Sequence, residues 1–271
     1  MRILRMLVCA AMIWGAAVTA QAEEIIINGS TTVLPIMQKV GEAFMAANPQ
    51  TTLVISGGGS GNGIKALNEG LCTVAMSSRD MKDSEKQLAQ SKGVQPVRTA
   101  VAVDALVPVV NPDCPVNALT ADQLRDIFAG TIRNWSEVGG PDAKIVVVSR
   151  DTSSGTYETW DEKIMRKTRV APSALMQASN GAVVQAVGKN KNAIGYIGFG
   201  YLNSTLKALQ VNGVTASAQT ALAGTWPIAR ELYVFTNGAP AGGVKDLLAF
   251  TLDPQKGQKL VLEVGFIPLA K

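Results

Sequence analysis

The feature that most constrains this chain is a strand–turn–helix plan that occurs three times, each time with a turn rich in serine, threonine and glycine. The turns read GSTT at 29–32, GGGSGNG at 57–63 and TSSGT at 152–156. Short β-branched runs that alternate with helical stretches predict the α/β class. In open α/β sheets, ligands bind beyond the carboxyl ends of the strands, where such turns lie. The plan therefore predicts both the fold class and the place of a binding site.

The first strand–turn–helix unit spans residues 23–49. The run EEIIING at 23–29 predicts a strand, and the stretch 30–49 predicts a helix with Ser30 as its N-cap. Helical spacing of the apolar residues supports this helix, with Val33, Met37, Val40 and Phe44 on one face. The run TVAMSSRD at 73–80 predicts a further strand that ends in polar residues.

Two long apolar runs lie far apart in the chain, TAVAVDALVPVVN at 99–111 and WPIARELYVFTNG at 226–238. We interpret them as two crossover strands that form a hinge between two lobes. On this interpretation lobe 1 comprises residues 23–102 plus 228–271, and lobe 2 comprises residues 103–227.

The first 22 residues have the pattern of a secretory signal peptide. Arg2 and Arg5 supply a positive start, Met6 to Val18 an apolar stretch, and Ala20-Gln21-Ala22 a small-x-small cleavage signal. No later stretch approaches the roughly 20 apolar residues that span a bilayer. We therefore expect an exported, soluble protein. Without Arg2 and Arg5 the net charge falls from +4 to about +2, too low to indicate nucleic acid or anionic membranes as partners.

The chain contains no histidine. This argues against Ser-His triads, histidine general bases and histidine metal sites. No carboxylate cluster has the spacing of metal ligands, so we expect no metal. The glycine-rich turn also lacks the Gly-Lys-Ser/Thr end of a P-loop, since Gly63 is followed by Ile64. Neither an enzyme nor a cofactor is therefore expected.

The three turns together suit a tetrahedral oxyanion. Such an anion offers many acceptor sites, which hydroxyl groups, backbone N–H groups at helix starts and a planar guanidinium can fill. The segment SRDTSSGT at 149–156 supplies the guanidinium from Arg150 and several of the hydroxyl groups. We therefore expect an anion site that uses one committed positive charge.

The mature chain resembles the periplasmic phosphate-binding proteins of ABC transporters. The matching segments, in chain order, are INGSTTVLPIMQ, GGGSGNGIKAL, VAMSSRDMKDSE, LRDIFAGTIRNWSEVGG, VVSRDTSSGTYETW, AIGYIGFGY and WPIARELYVFT. The resemblance implies a two-lobed, type II periplasmic-binding-protein fold, in which each lobe is a mixed sheet flanked by helices. It also implies that inorganic phosphate is captured between the lobes and delivered to a membrane permease and its ATPase, by a monomeric binding protein.

The resemblance also implies which residues of this sequence bind phosphate, because its matching segments fix their positions. The phosphate-binding residues it implies are Ser30, Thr31, Ser60, Ser78, Arg150, Ser154, Gly155 and Thr156. Gly155 is expected to donate its backbone N–H, and the serine and threonine residues their hydroxyl groups.

One position departs from well-known members of this family, which place an aspartate where this chain has Ser78. That aspartate accepts the proton of phosphate and so discriminates against sulfate. Here the acceptor could instead be Asp104, Asp151 or Asp80. A carboxylate within the apolar run 99–111 is costly to bury unless an opposite charge or hydrogen bonds compensate it. For Asp104, the alternative role is a hinge salt bridge, with Arg79 as a candidate partner.

Two alternative functions stay open at this stage. Because Ser78 replaces the expected aspartate, the ligand could be another tetrahedral oxyanion such as sulfate, molybdate or tungstate. An exported phosphate-ester hydrolase with a serine nucleophile is the other alternative, although the chain offers no histidine as its base. Two cysteines remain after the signal peptide, Cys72 and Cys114, and the sequence does not show whether they form a disulfide.

Overall fold

The computed structural model describes residues 23–269. The predicted signal peptide at 1–22 lies outside the described residues. The strands are β1 (Glu23–Gly29), β2 (Thr51–Gly57), β3 (Val74–Ser77), β4 (Pro96–Val110), β5 (Ala118–Leu119), β6 (Val146–Arg150), β7 (Leu175–Gln177), β8 (Ala193–Gly198), β9 (Lys207–Ala208), β10 (Gln210–Val211) and β11 (Ala229–Asn237). The helices are α1 (Leu34–Ala47), α2 (Ser60–Asn68), α3 (Asp83–Ser91), α4 (Ala121–Ala129), α5 (Gly155–Trp160), α6 (Asn180–Gly188), α7 (Ala218–Leu222), α8 (Gly242–Leu252) and α9 (Gly257–Glu263).

Most strands form one mixed sheet in the order β2-β1-β3-β11-β4-β8-β6-β7, with β9 also on β4. Strand β1 runs parallel to β2 and β3, and β6 runs parallel to β7 and β8. Strand β11 is antiparallel to β3 and β4, and β4 is antiparallel to β8. The predicted α/β fold, with mixed sheets flanked by helices, is confirmed.

The two long apolar runs lie together in the middle of this sheet. Strand β4 pairs with β11 from Pro96 to Ala105 and with β8 from Leu106 to Val110. A single long strand therefore belongs to both halves of the sheet, and β11 accompanies it across the middle.

The apolar side chains form two large cores on either side of this crossing. One core takes its buried residues from 25–102 and 232–266. The other takes them from 105–228 together with Ile267. In the second core Trp160 stacks on Tyr196 with ring centroids 4.3 Å apart, and Phe128 packs against both rings. Helix α5 is thereby anchored through its last residue.

Element bounds differ from the predicted ones in places. The first strand has the predicted bounds, but α1 begins at Leu34 rather than next to Ser30. Ser30 caps the preceding turn instead, since its Oγ accepts from the backbone N–H groups of Thr32 and Val33. Strand β3 ends at Ser77, so Ser78 and Arg79 lie in the loop beyond it.

Both remaining cysteines are buried and unpaired. Cys72 belongs to a small cluster of apolar residues with Ile64 and Met81, whereas Cys114 lies in the core that contains Trp160. Among the helices of residues 23–269, none has both the length and the apolar character that a membrane crossing requires.

Candidate functional site

The candidate site lies where the serine- and threonine-rich turns meet. We call residues 30–32 with Ser60 and Ser78 the first wall, and residues 150–156 the second wall. The first wall follows the carboxyl ends of β1, β2 and β3, and the second wall follows β6. The predicted site residues are thus brought together from turns that are up to about half the chain apart.

Buried hydroxyl groups dominate the first wall. Ser30, Thr31, Ser60 and Ser78 expose between 0 and 7% of their surface. The Oγ of Ser60 accepts from the backbone N–H of Ser78 at 3.0 Å and lies 3.3 Å from its Oγ. Since Ser60 also begins α2, its backbone N–H is one of the free donors of a helix start. The wall therefore offers hydroxyl and N–H donors and no formal charge.

The second wall begins with Arg150, of which 1% is exposed. Two backbone carbonyls hold its guanidinium, since Nε donates to Gln177 O and Nη2 donates to Ala178 O, each at 3.0 Å. The remaining nitrogen, Nη1, is buried and has no hydrogen-bond partner within residues 23–269. Burial, with a contribution from Arg230, lowers the pKa of Arg150. A buried guanidinium with an unpaired donor is the strongest indication of an anion site.

Ser154, Gly155 and Thr156 follow at the start of α5. The Oγ of Ser154 caps this helix by accepting from Tyr157 N at 3.2 Å. The backbone N–H groups of Gly155 and Thr156, as the first two of the helix, have no acceptor inside it. The turn thus adds N–H donors and the hydroxyl groups of Ser154 and Thr156 to the guanidinium of Arg150.

The two walls touch each other directly. The hydroxyl oxygens of Thr32 and Thr156 are 2.9 Å apart, and Gly61 N donates to Ser153 O at 2.9 Å. A Cβ added to Gly155 would lie 2.6 Å from Ser78 Oγ and closer still to Ser60 Oγ. Only glycine allows the walls to approach this closely at residue 155.

Asp104 has a different partner from the predicted one. It is fully buried on β4, directly opposite Arg230 on β11, and its Oδ2 accepts from Arg230 Nη2 at 2.7 Å. Its Oδ1 accepts from Phe199 N at 2.8 Å. Asp104 therefore does form a salt bridge, but its partner is Arg230 and not Arg79, because strand register places Arg230 beside it.

Arg79 lies at the outer edge of the site, where it joins the two walls. It forms ion pairs with Glu85 on α3 and with Glu158 on α5, and Lys82 also pairs with Glu158 at 2.8 Å. Burial pulls the pKa of Arg79 down, but the hydrogen bonds and charges of both glutamates outweigh burial and raise it. We call this cluster of Arg79, Lys82, Glu85 and Glu158 the rim cluster.

Asp80 and Asp151, the other carboxylates considered as proton acceptors, have partners of their own. Asp80 lies 2.6 Å from Arg98 Nη1 in an exposed pair. Asp151 Oδ1 accepts from the backbone N–H of Ser153 at 2.9 Å. Neither contact brings a carboxylate to Ser78.

Sequence reasoning missed three residues of the site. Asn180, which is fully buried at the start of α6, donates through Nδ2 to Thr31 Oγ1 at 3.2 Å and Thr32 Oγ1 at 3.0 Å. Arg230 donates to Thr156 Oγ1 at 3.0 Å. Thr32 contacts both of them. For Arg230 the available signal was a charged side chain within the apolar run 226–238, as for Asp104 in the run 99–111. Thr32 lies in the GSTT turn but was not singled out from it.

Chemically, the arrangement suits binding of a small oxyanion. Hydroxyl and N–H donors converge from both walls, and Arg150 supplies a buried positive charge. Within residues 23–269, no three His, Cys, Asp or Glu side chains are placed to hold a metal ion.

Comparison with known proteins agrees with this fold. A family model described as "PBP superfamily domain" matches residues 15–255. A solved structure of a phosphate ABC transporter substrate-binding protein from Clostridium perfringens, with bound phosphate, superposes with a TM-score of 0.86 at 32% identity, covering 92% of this chain and all of that one. An ABC-type phosphate transport receptor from Vibrio cholerae gives a TM-score of 0.74 at 33% identity, covering 90% of this chain and all of that one. The fold is that of the periplasmic binding proteins.

Curated relatives narrow the class further. A phosphate-binding protein PstS of Bacillus subtilis is 32% identical over 90% of this chain and 80% of its own length. A phosphate-binding protein PstS of Pseudomonas aeruginosa is 34% identical over 89% of this chain and 81% of its own length. This chain therefore belongs to the PBP superfamily and, within it, to the PstS family of phosphate-binding proteins. These relatives are named as binding proteins and not as enzymes.

Proposed function

We propose that this protein is an extracytoplasmic solute-binding protein that captures inorganic phosphate and delivers it to an ABC-type importer. The observation that carries the proposal is the buried Nη1 of Arg150, which has no partner among the described residues. Arg150 ends β6, and Gly155 and Thr156 begin α5 in the turn that follows. Phosphate would supply the missing acceptor. The names of the relatives from Bacillus subtilis and Pseudomonas aeruginosa support phosphate as the ligand.

In this proposal both walls donate to the phosphate oxygens. Arg150 provides charge-assisted bonds through Nη1, and Gly155 its backbone N–H. The remaining donors are the hydroxyl or N–H groups of Ser30, Thr31, Ser60, Ser78, Ser154 and Thr156. Neither wall alone surrounds the anion, so binding favours contact between them.

We also propose that the walls belong to two lobes, residues 23–102 plus 228–271 and residues 103–227. The middle of β4 and β11 would act as the hinge, since these strands connect the two large cores. A membrane permease with its ATPase would recognise the form in which the walls touch. The protein would act in the periplasm as a monomer, without enzymatic activity.

The ligand is tested by titration calorimetry with phosphate, arsenate and sulfate at two pH values. Saturable binding of phosphate, with competition by arsenate, is the expected result. No binding of phosphate at millimolar concentration would contradict the proposal, as would turnover of a chromogenic phosphate ester.

Sulfate is the alternative ligand that a specific observation favours. Ser78 stands where an acceptor carboxylate would be expected, and both oxygens of Asp104 are occupied by Arg230 and Phe199 N. A site with no free carboxylate acceptor discriminates less between protonated phosphate and unprotonated sulfate. Tighter binding of sulfate than of phosphate in the same titrations would reassign the ligand.

A further inference from the structure

A second buried arginine, Arg230, contacts the site without being part of either wall. It lies on β11, and 7% of its side chain is exposed. Its guanidinium binds Asp104 Oδ2 through Nε at 3.0 Å and Nη2 at 2.7 Å. This pair alone would be a structural link between the two hinge strands.

The guanidinium of Arg230 also contacts helix α5 and the first wall. Nη1 of Arg230 donates to Gly155 O at 3.3 Å and to Thr159 Oγ1 at 3.2 Å. Nη2 donates to Thr156 Oγ1 at 3.0 Å and reaches Thr32 Oγ1 at 3.4 Å. One planar group thus contacts a hinge strand, helix α5 and the first wall together.

These contacts limit the directions in which the hydroxyl groups can donate. An arginine has no acceptor, so Thr156 Oγ1 must accept from Arg230. Thr32 Oγ1 must likewise accept from Asn180 Nδ2 at 3.0 Å, because the Oδ1 of that amide faces Gly198 N. The two hydroxyl groups are 2.9 Å apart, and a bond between them uses one of their two hydrogens. One hydroxyl hydrogen therefore stays available to an anion.

We propose that Arg230 is a positioning residue that holds the Thr156 hydroxyl as a donor toward the bound phosphate, while Asn180 and Thr32 complete the chain of hydrogen bonds. Thr32 donates to Thr156, and Thr156 donates to the anion. Asp104 pairs closely with Arg230 at 2.7 Å, whereas Asp151 lies 3.8 Å from Arg150, so Arg150 is the less neutralised arginine and the charge committed to the ligand. This inference rests on the proposed function.

A double-mutant cycle of Arg230→Lys and Thr156→Val tests it, with phosphate dissociation constants from titration calorimetry. Lysine keeps the charge opposite Asp104 but lacks the planar fork that reaches Thr156 and Thr159 at once. Valine keeps the shape of threonine without its hydroxyl group. We expect Arg230→Lys to weaken binding about tenfold in the wild-type background, as loss of a charge-assisted hydrogen bond would. In the Thr156→Val background it should change binding less than about threefold.

A merely structural role of Arg230 predicts the same loss in both backgrounds, and that result would overturn the inference. An unchanged dissociation constant for Arg230→Lys would overturn it as well. The matched control is Arg98→Lys, on strand β4, whose ion pair with Asp80 is half exposed. It should leave binding unchanged.

A second variant covers the case in which Arg230→Lys does not fold, and wild-type binding distinguishes failure of this inference from failure of the proposed function. If Arg230→Lys does not fold, the cycle is run with Arg230→Gln combined with Asp104→Asn, which removes both charges of the pair. The same coupling with Thr156→Val is then expected, and its absence would refute the role. Failure of the wild-type protein to bind phosphate would contradict the proposed function and this inference together, whereas tight wild-type binding without coupling would contradict this inference alone.

Discussion

Gly155 lies at the closest approach of the two walls, and Gly155→Ala is the most direct test of how the site works. A Cβ at this position would lie 2.6 Å from Ser78 Oγ, and ordinary van der Waals contact begins at 3.4 Å. Relieving this overlap would separate the walls by at least about 0.8 Å at this point, because Ser60 Oγ lies closer to the added Cβ than Ser78 Oγ does. The 2.9 Å contact between Thr32 and Thr156 would lengthen to about 3.7 Å, which is beyond hydrogen-bond distance.

The separation would also affect the bond from Gly61 N to Ser153 O and the weaker one from Ser153 Oγ to Gly58 O. Each lost hydrogen bond costs about 1 kcal/mol, so the contact between the walls would lose about 2–4 kcal/mol. We therefore expect phosphate affinity to fall about 30- to 1000-fold. Ligand-free protein should melt at nearly the wild-type temperature, because open walls accommodate the methyl group.

Titration calorimetry measures the affinity, and thermal unfolding without phosphate measures the stability. Gly181→Ala is the matched control, since Gly181 is also in the first turn of a helix and its added Cβ would come no closer than 3.8 Å to Ser179 Oγ. The control should bind phosphate like the wild type. The reasoning is refuted if Gly155→Ala binds normally, or if it lowers the ligand-free melting temperature by as much as overpacking a rigid core would.

Three further predictions concern charge and burial. Arg150→Met should weaken phosphate binding about 100- to 10,000-fold, at about 1.5–3 kcal/mol for each of two charge-assisted bonds, while the ligand-free protein stays folded by circular dichroism. Glu158→Gln, which removes the carboxylate that Arg79 and Lys82 share in the rim cluster, should weaken binding about tenfold and reduce the dependence of affinity on salt. Burial raises the pKa of the Cys72 thiol to about 11. Native protein should therefore resist alkylation of Cys72 at pH 8, and stability from the protonated thiol should be lost as pH rises from about 9 toward 11.

The turns that form the two walls could be predicted because each turn is a short, contiguous segment with its own sequence pattern. Each turn follows a β-branched run and precedes a helical stretch, so the carboxyl ends of β1, β2 and β6 present the Ser30, Ser60 and Ser154 turns to one region. Arg150 was indicated by its place beside the hydroxyl-rich turn, whereas Gly155 came from the family resemblance, because position in a turn does not show which residue faces the other wall. The structure adds the reason for glycine, which is the contact with Ser60 and Ser78.

The polar layer behind the walls could not be predicted in the same way. Asp104 in an apolar strand indicated that a partner was needed, but 126 residues separate it from Arg230. Only the antiparallel register of β4 and β11 places the two side chains opposite each other. Arg79 was the wrong choice because it follows β3 and is held by Glu85 and Glu158. Asn180 is equally remote from Thr32, at 148 residues.

Under the proposed function, the two arginines give a physical reason why phosphate would favour contact between the walls. Arg230 pairs with Asp104 at 2.7 Å, whereas Arg150 has a longer pair with Asp151 at 3.8 Å, two carbonyl partners and one donor without a partner among residues 23–269. Bringing the walls together around that donor without an anion costs about 1–3 kcal/mol for the unmade bond, and more because the group is charged. An anion between the walls converts this penalty into a charge-assisted bond. On this proposal we therefore expect phosphate to bias the equilibrium toward contact between the walls, the form that the importer would recognise.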